Sequence, residues 1–582
     1  MKLRLDLRNI LSSVRQSWPR RGLGLSVFML AGMAAVTAAA ILYRPMATND
    51  GPVHVAFANL IATLGRPEHE LQRHAYALTL RLNPNLLIYL LMAALLRVAP
   101  PGLTESLVQV LCVVGPVSAA YLALRQINPA NTWLAVFVLP LSLNQMFFLG
   151  LYNHCCATGA FFLAIAAYLW MNRAPSFRRA LVLASALILT FLCHASGFIM
   201  AMAGVGTMTA MNLVATTWRK GVFKTYSAQR HAFAVGVGTM TAMNLVATTR
   251  QERVFEVFSA RRHAFAAMVA PLPLAAIFLS GIKGGIDFGP SVATRVYLFG
   301  VLNVLRVNSR LDSYLAVATS LVLAFASLWA TVEILGRKAR RDEAAPIIAA
   351  GVVAFLVMLA FPETLGGGWT HFRRFVIYPF FWALLLLAFQ SFSTRARGAL
   401  IGFGVAVSLG LVGSAMYRQS IFRSQMAPLA EVDRQVGSHC TVLPLVLNDT
   451  VSAGFPTYNP LFQAANRLEL RNDRVVLFNF LARLNVYPIR FIDSVEPQSH
   501  LFHWAPQRHE VSIETVDITG FERTSGLHVD YLLVSGAVEG QPQRLRGEIE
   551  NAVAEAVPIY SAAVSEMSLY RRPGGDLCRE ER

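Results

Sequence analysis

GLGLSVFMLAGMAAVTAAAILY, residues 22–43, carries no charge over 22 consecutive positions, and its reading decides the fold class. As a helix rising about 1.5 Å per residue it matches the hydrocarbon thickness of a bilayer, about 30 Å. Arg15, Arg20 and Arg21 precede it, so the positive-inside bias keeps residues 1–21 in the cytoplasm. A cleaved signal peptide is the competing reading. The apolar run is too long for one, and the small residues at its end lead into Tyr43-Arg44-Pro45.

Working outward, further apolar segments lie near 84–99, 105–124, 132–149, 154–171, 180–193, 196–217, 263–282, 314–335, 345–361, 375–390 and 398–416. Charged residues make up 14% of the 582-residue chain and hydrophobic ones 55%, against roughly a quarter charged in soluble domains. The expectation is an α-helical polytopic membrane protein with about 11–13 transmembrane helices over 22–417. Within it, residues 44–83 form a first outer loop. Residues 418–582 change character: 441–447 and 531–535 read as buried strands, 545–556 as a helix and 559–570 as a further strand region. That tail is expected to be a small α/β extracytoplasmic domain.

The net charge of +18 does not indicate nucleic acid, because the basic residues fall between apolar runs. They cluster at Arg173, Arg178 and Arg179, at Arg219 and Lys220, at Arg337, Lys338, Arg340 and Arg341, and at Arg395 and Arg397. Taking those loops as cytoplasmic places 283–313, 362–374 and the tail outside. Three apparent crossings separate the first outer loop from the helix at 154, where an even number is required, so one of them is short, re-entrant or misread. Residues 203–234 and 235–266 form a tandem duplication: Gly204–Thr217 is repeated at Gly236–Thr249. Two copies do not make a solenoid, and the segment 231–249 is expected to lie along or dip into the cytoplasmic face. Six cysteines without a CxxC repeat argue against structural zinc. Cys440 and Cys578 alone lie outside the membrane part, where an oxidising periplasm would let them pair.

Three polar clusters interrupt the apolar pattern. Asn49-Asp50-Gly51-Pro52-Val53-His54 opens the first outer loop. If a helix starts near Pro52, Asp50 stands at its mouth and His54 one turn in; either Asn49 or Asp50 then caps the helix, or Asp50 is a carboxylate able to take a proton from an acceptor hydroxyl. The second cluster runs from Phe361 through Glu363, Gly366-Gly367-Gly368, His371 and Arg373-Arg374. Its glycines permit close backbone approach, and paired guanidinium groups match phosphate oxygens. Two arginines on the outer side also run against the charge bias found elsewhere. The third is Tyr152-Asn153-His154-Cys155-Cys156 with Cys193-His194-Ala195-Ser196. Metal ligation there has no recognised spacing, so Asn153, His154, His194, Glu363 and His371 are read as candidate cavity-lining residues.

Taken together, the cytoplasmic N-terminal helix, the early outer Asp50 with His54, Phe148-Leu149-Gly150-Leu151-Tyr152-Asn153, Leu192-Cys193-His194-Ala195-Ser196-Gly197-Phe198, Arg373-Arg374 and the outer tail form a layout. It resembles the polytopic GT-C glycosyltransferases, the class that includes protein mannosyltransferases and lipid A aminoarabinose transferases. The resemblance implies an integral enzyme of the bacterial cell inner membrane, with its N-terminus cytoplasmic and its C-terminal domain periplasmic. Such an enzyme moves a sugar from a polyprenyl-phosphate donor to a glycan, lipid or protein acceptor. It further implies Asp50 as catalytic base or metal-organising carboxylate, His54 as its assistant, and Arg373 and Arg374 as donor-phosphate ligands. Many relatives carry two adjacent acidic residues where this chain has Asn49-Asp50, so a divalent metal stays open and no other cofactor is implied. Expected partners are membrane lipids and the lipid-linked donor; no nucleic acid is among them. The rival readings are a multi-pass transporter or flippase, which usually shows two related halves, and a non-catalytic membrane scaffold.

Overall fold

The computed structural model describes residues 23–43, 45–219, 262–280, 285–365, 371–447, 458–483, 487–497, 500–501, 503–505, 510–512, 515–562, 566–574 and 578. The segment 1–21 and the path of 231–249 lie outside the described residues. The chain is mostly helical. Among the described residues seven helices are long and apolar enough to cross a membrane: Pro101–Ile127, Tyr152–Arg173, Ala195–Thr216, Arg262–Ser280, Arg310–Gly336, Arg340–Ala360 and Thr394–Gln435. The opening run is also helical, Leu23–Tyr43.

Fewer helices reach spanning length than the 11–13 crossings expected, and the shortfall has local causes. The run at 84–99 yields only Leu86–Leu95, ten residues, which covers roughly half a bilayer. The run at 132–149 is no single helix. It breaks into a 3-10 turn at Pro129–Phe137 and two short helices, Val138–Ser142 and Gln145–Phe148. Asn144 ends one and starts the next, its side-chain oxygen accepting from the amides of Met146 and Phe147. Every residue from Asn131 to Gly150 is buried, so this irregular piece is packed inside protein. The segment at 375–390 shortens to Ile377–Leu387, behind the five-residue helix His371–Phe375.

The most extensive helix pairing joins Pro101–Ile127 to Tyr152–Arg173. Gly159 meets the backbone of Gly115 and Pro116 there, 3.3 Å from where its own Cβ would stand, so the two axes approach closely. Tyr152–Arg173 is the most buried of the seven. Its first turn therefore faces protein on all sides, which matters for the polar residues it carries.

In the tail a mixed five-stranded sheet runs Val557–Ala562, Met567–Arg571, Tyr531–Ser535, Thr441–Val446, Val475–Val476. The central pair, Thr441–Val446 with Tyr531–Ser535, is parallel, and the outer hairpin is antiparallel. Alternate residues face opposite ways: Leu443, Leu445, Leu532 and Val534 enter one core, and Val442, Tyr531 and Leu533 another. Cys440 and Cys578 form a disulfide across 138 residues beside the second core.

The tail is joined to the first outer loop by a shared interior. The helix Gly51–Thr63 turns Val53, Phe57 and Leu60 into the sheet's core, while Val55 and Ala58 pack among the apolar helices. That i, i+4, i+7 spacing against an opposed i, i+3 pair gives a short helix two apolar faces. Two-stranded pairing of Tyr76–Leu78 with Ile489–Phe491 adds a backbone tie. Asp473 caps the helix Glu70–Ala75 through the amides of Leu71 and Gln72. The boundary expected at residue 418 falls inside the helix Thr394–Met426, 33 residues long and about 50 Å in length.

Candidate functional site

Asp50 occupies the N-cap position of Gly51–Thr63, yet its side chain caps nothing. It accepts hydrogen bonds from Asn49 Nδ2 at 2.7 Å and from Gln463 Nε2, in the tail, at 3.0 Å. The backbone beneath it is pinned: Asn49 N donates to the Phe148 carbonyl at 3.1 Å and Asp50 N to the Leu149 carbonyl at 3.0 Å. Gly150 completes this seat at φ +80°. Gly51 is pressed against three oxygens, Thr48 Oγ1, Glu105 Oε1 and Tyr152 OH, so no side chain fits at that position. Burial raises the Asp50 carboxyl to about 7, opposed by the Asn49 hydrogen bond, the Arg374 charge and the Gln463 hydrogen bond. A carboxyl poised near neutrality can both lose and accept a proton.

His54 meets Asp50 through the backbone, its amide donating to the Asp50 carbonyl at 3.0 Å, while its ring pairs elsewhere. Its Nδ1 pairs with Tyr89 OH at 2.6 Å, and its ring lies against Tyr152. Burial lowers it to about 4, against the pull of the Gly150 carbonyl, so the imidazole is neutral. Asn153 hydrogen-bonds the same Tyr89 hydroxyl.

Arg374 lies in the short helix His371–Phe375 and comes within electrostatic reach of Asp50, Glu363 and Tyr487. It hydrogen-bonds from Nη1 to His194 Nε2 at 2.8 Å, and among the described residues no carboxylate pairs with it. Its Nε is buried without a partner. Arg373 diverges from its neighbour: a third exposed, it faces Glu363 at 3.6 Å. The arginines expected to act as a pair thus do different things. His371 packs beside them and is lowered to about 3 by burial and by the Arg374 charge. His194 is likewise lowered, by burial first and then by Arg374.

Around this centre, Asn153 Oδ1, His154 Nε2, Glu363 Oε2, His371 Nε2, Arg374 Nε and Gln463 Oε1 are all buried without hydrogen-bond partners. Buried polar atoms are ordinarily satisfied, each orphan costing about 1–3 kcal/mol. Five of them together with the guanidinium's own Nε mark a polar site that a ligand or water would complete.

Several participants escaped the sequence reading. Gln463 and Tyr487 reach the centre from the tail, and Tyr89 from a helix. Glu105, fully buried in Pro101–Ile127, accepts from Tyr152 OH at 3.1 Å and pairs with Arg467 of the tail at 2.5 Å. An acid inside so apolar a segment was the signal that could have found it. Arg295 is a structural clamp: it donates to the carbonyls of Pro290 and Leu359 and stacks over Phe372, fixing the helix that carries Arg374. Among the described residues the one group with metal-ligand spacing is Cys440, Asp530 and Cys578, and its two sulfurs are joined in the disulfide.

The fold and site thus define a mostly helical protein with, among the described residues, seven apolar helices of spanning length, and a buried polar centre around Arg374 and Asp50 to which the α/β tail contributes Gln463 and Tyr487. No protein-family description matches the chain, and comparison with characterised proteins returns no significant match.

Proposed function

We propose that the protein is an integral membrane glycosyltransferase of the bacterial inner membrane, moving a sugar from a polyprenyl-phosphate carrier to an acceptor at the periplasmic face. The observation that carries this reading is the buried Arg374 guanidinium, without a carboxylate partner among the described residues, within electrostatic reach of a carboxyl near neutrality on a segment over 300 residues distant. An acceptor hydroxyl attacks the anomeric carbon, Asp50 takes its proton, and the sugar–phosphate bond breaks with its electron pair on the carrier phosphate. Arg374 favours that step because the phosphate gains negative charge as it leaves, so a fixed cation binds the transition state more tightly than the ground state. Arg373, half turned to Glu363, contributes less. The His54 ring supports the site through Tyr89.

The transporter, flippase and scaffold alternatives have no comparable observation behind them. Transfer of radiolabelled sugar from lipid-linked donors by purified protein tests the reading. Asp50→Asn is expected to abolish product, and full transfer by that variant would overturn it.

A further inference from the structure

Asp50 stands at the N-cap of Gly51–Thr63 but its backbone, at φ −98° and ψ −3°, lies outside the extended region from which a side chain turns back onto the first amides. What holds the carboxyl comes instead from two sides. Asn49 Nδ2 and Gln463 Nε2 both donate to Oδ1, at 2.7 and 3.0 Å, and among the described residues no donor meets Oδ2. An ionised carboxylate only accepts, so the Gln463 amide must present its nitrogen here. Its Oε1 is then left buried without a partner. The segment behind Gln463 is locked: in the 3-10 turn Ala464–Leu470, Arg467 pairs with Glu105 of the apolar helix Pro101–Ile127 at 2.5 Å, and Glu469 accepts from the Val476 amide at 2.8 Å.

Attaching the tail to the outer loop does not need this amide. The apolar face of Gly51–Thr63, the pairing of Tyr76–Leu78 with Ile489–Phe491 and the Asp473 cap already do that. A bond made at the expense of an orphaned buried carbonyl adds little to such a seam, because the orphan's desolvation offsets the gain. Its effect falls on the carboxylate, whose rotation it stops. We propose that Gln463 is a positioning residue for the Asp50 base: by holding Oδ1 it makes Oδ2 the oxygen that takes the acceptor's proton, so the tail completes a carboxylate that the outer loop carries. The assignment rests on the transfer reaction proposed above. In it the acceptor O–H bond breaks as Oδ2–H forms, while Oδ1 keeps both donors. Burial raises this carboxyl and the two hydrogen bonds oppose it, so losing one raises it further.

The test uses the full-length protein in lipid nanodiscs with 13C-labelled aspartate, the Asp50 carboxyl being picked out in infrared difference spectra by its loss in Asp50→Asn. In Gln463→Met, which keeps the length and loses the donor, the Asp50 midpoint should rise by about one pH unit. At pH 7 kcat for sugar transfer should fall at least about tenfold, with KM for the lipid-linked donor within about twofold of wild type. The acid limb of the transfer profile should move with the midpoint. Gln463→Asn, whose amide stops one methylene short, should behave alike, which separates loss of the donor from a change of polarity and serves if the thioether is not accommodated. A part in packing alone would leave the midpoint in place. A folded Gln463→Met or Gln463→Asn protein with the wild-type midpoint, or a loss falling wholly on KM, would overturn the assignment. The carboxyl titration needs no substrate, so the two readings separate. A displaced midpoint with no transfer by the wild type would sink the enzymatic reading and leave Gln463 as the group that holds Asp50, whereas equal transfer by wild type and variants would sink this assignment alone.

Discussion

Replacing Gly150 with alanine probes the seat of Asp50 without touching a polar group. At φ +80° an L side chain costs about 1 kcal/mol relative to glycine. The new Cβ would stand 2.7 Å from Gly51 N, 2.8 Å from Asp50 N and 3.1 Å from the Asp50 carbonyl carbon. These are backbone atoms and cannot rotate aside, so the segment carrying Asp50 must shift. Overpacking of this kind costs about 1–3 kcal/mol, and straining the hydrogen bonds from Asn49 N and Asp50 N adds up to about 1 kcal/mol each. A total of about 2–6 kcal/mol is expected. The loss of transfer should be larger than stability alone dictates, about 100-fold at a temperature where the variant is still folded, because a displacement of about 1 Å at a reacting group has that effect. Unfolding in detergent and initial transfer rates would be measured together. Gly206→Ala serves as the control, since nothing lies within 4 Å of its Cβ position on a helix; it should be neutral or slightly stabilising. A Gly150→Ala protein with wild-type midpoint and rate would refute the reasoning.

Asp50, raised to about 7 by burial, takes up a proton on folding between about pH 4 and pH 7. The native state then binds more protons than the unfolded one, so stability falls as pH rises through that window, by up to about 4 kcal/mol, while transfer climbs as the carboxylate forms. Asp50→Asn should flatten the stability slope, and an unchanged slope would assign it to another group. Arg374→Gln should lower kcat/KM for the lipid-linked donor about 100-fold, mostly through kcat, by removing a buried charge that favours the transition state, whereas Arg373→Gln, a third exposed beside Glu363, should change it less than about fivefold. Equal effects would contradict the division of labour described for the two arginines. Replacing Cys440 and Cys578 together with serine should lower the stability of the tail by about 4–5 kcal/mol, the value for a closed loop of this length. Denaturant unfolding with and without reductant checks it.

The long helices were legible because an uncharged run of twenty residues has few other solutions. Where the reading failed, between Asn128 and Gly150, hydropathy could not tell a continuous helix from a buried, broken one. The punctuation was nevertheless present in Asn128-Pro129, Pro140 and Asn144. Asp50, His194 and Arg374 stood out as polar residues at the ends of apolar runs, and the structure brings those three together. Which of two adjacent arginines enters the centre was not legible, since it depends on Glu363 and on the rotation of a five-residue helix. Gln463 had no local signal at all. Its meeting with Asp50 depends on how a helix with two apolar faces is clasped between two cores, which is a property of the whole chain.

The hydrogen bond from Gln463 spans 413 positions, and this orders events at the ribosome. Elongation at roughly 5–20 residues per second leaves Asp50 waiting about 20–80 seconds for its tail partner to emerge. Until then, the Asp50 carboxyl lacks the Gln463 amide, one of the two side chains that hydrogen-bond it in the folded protein.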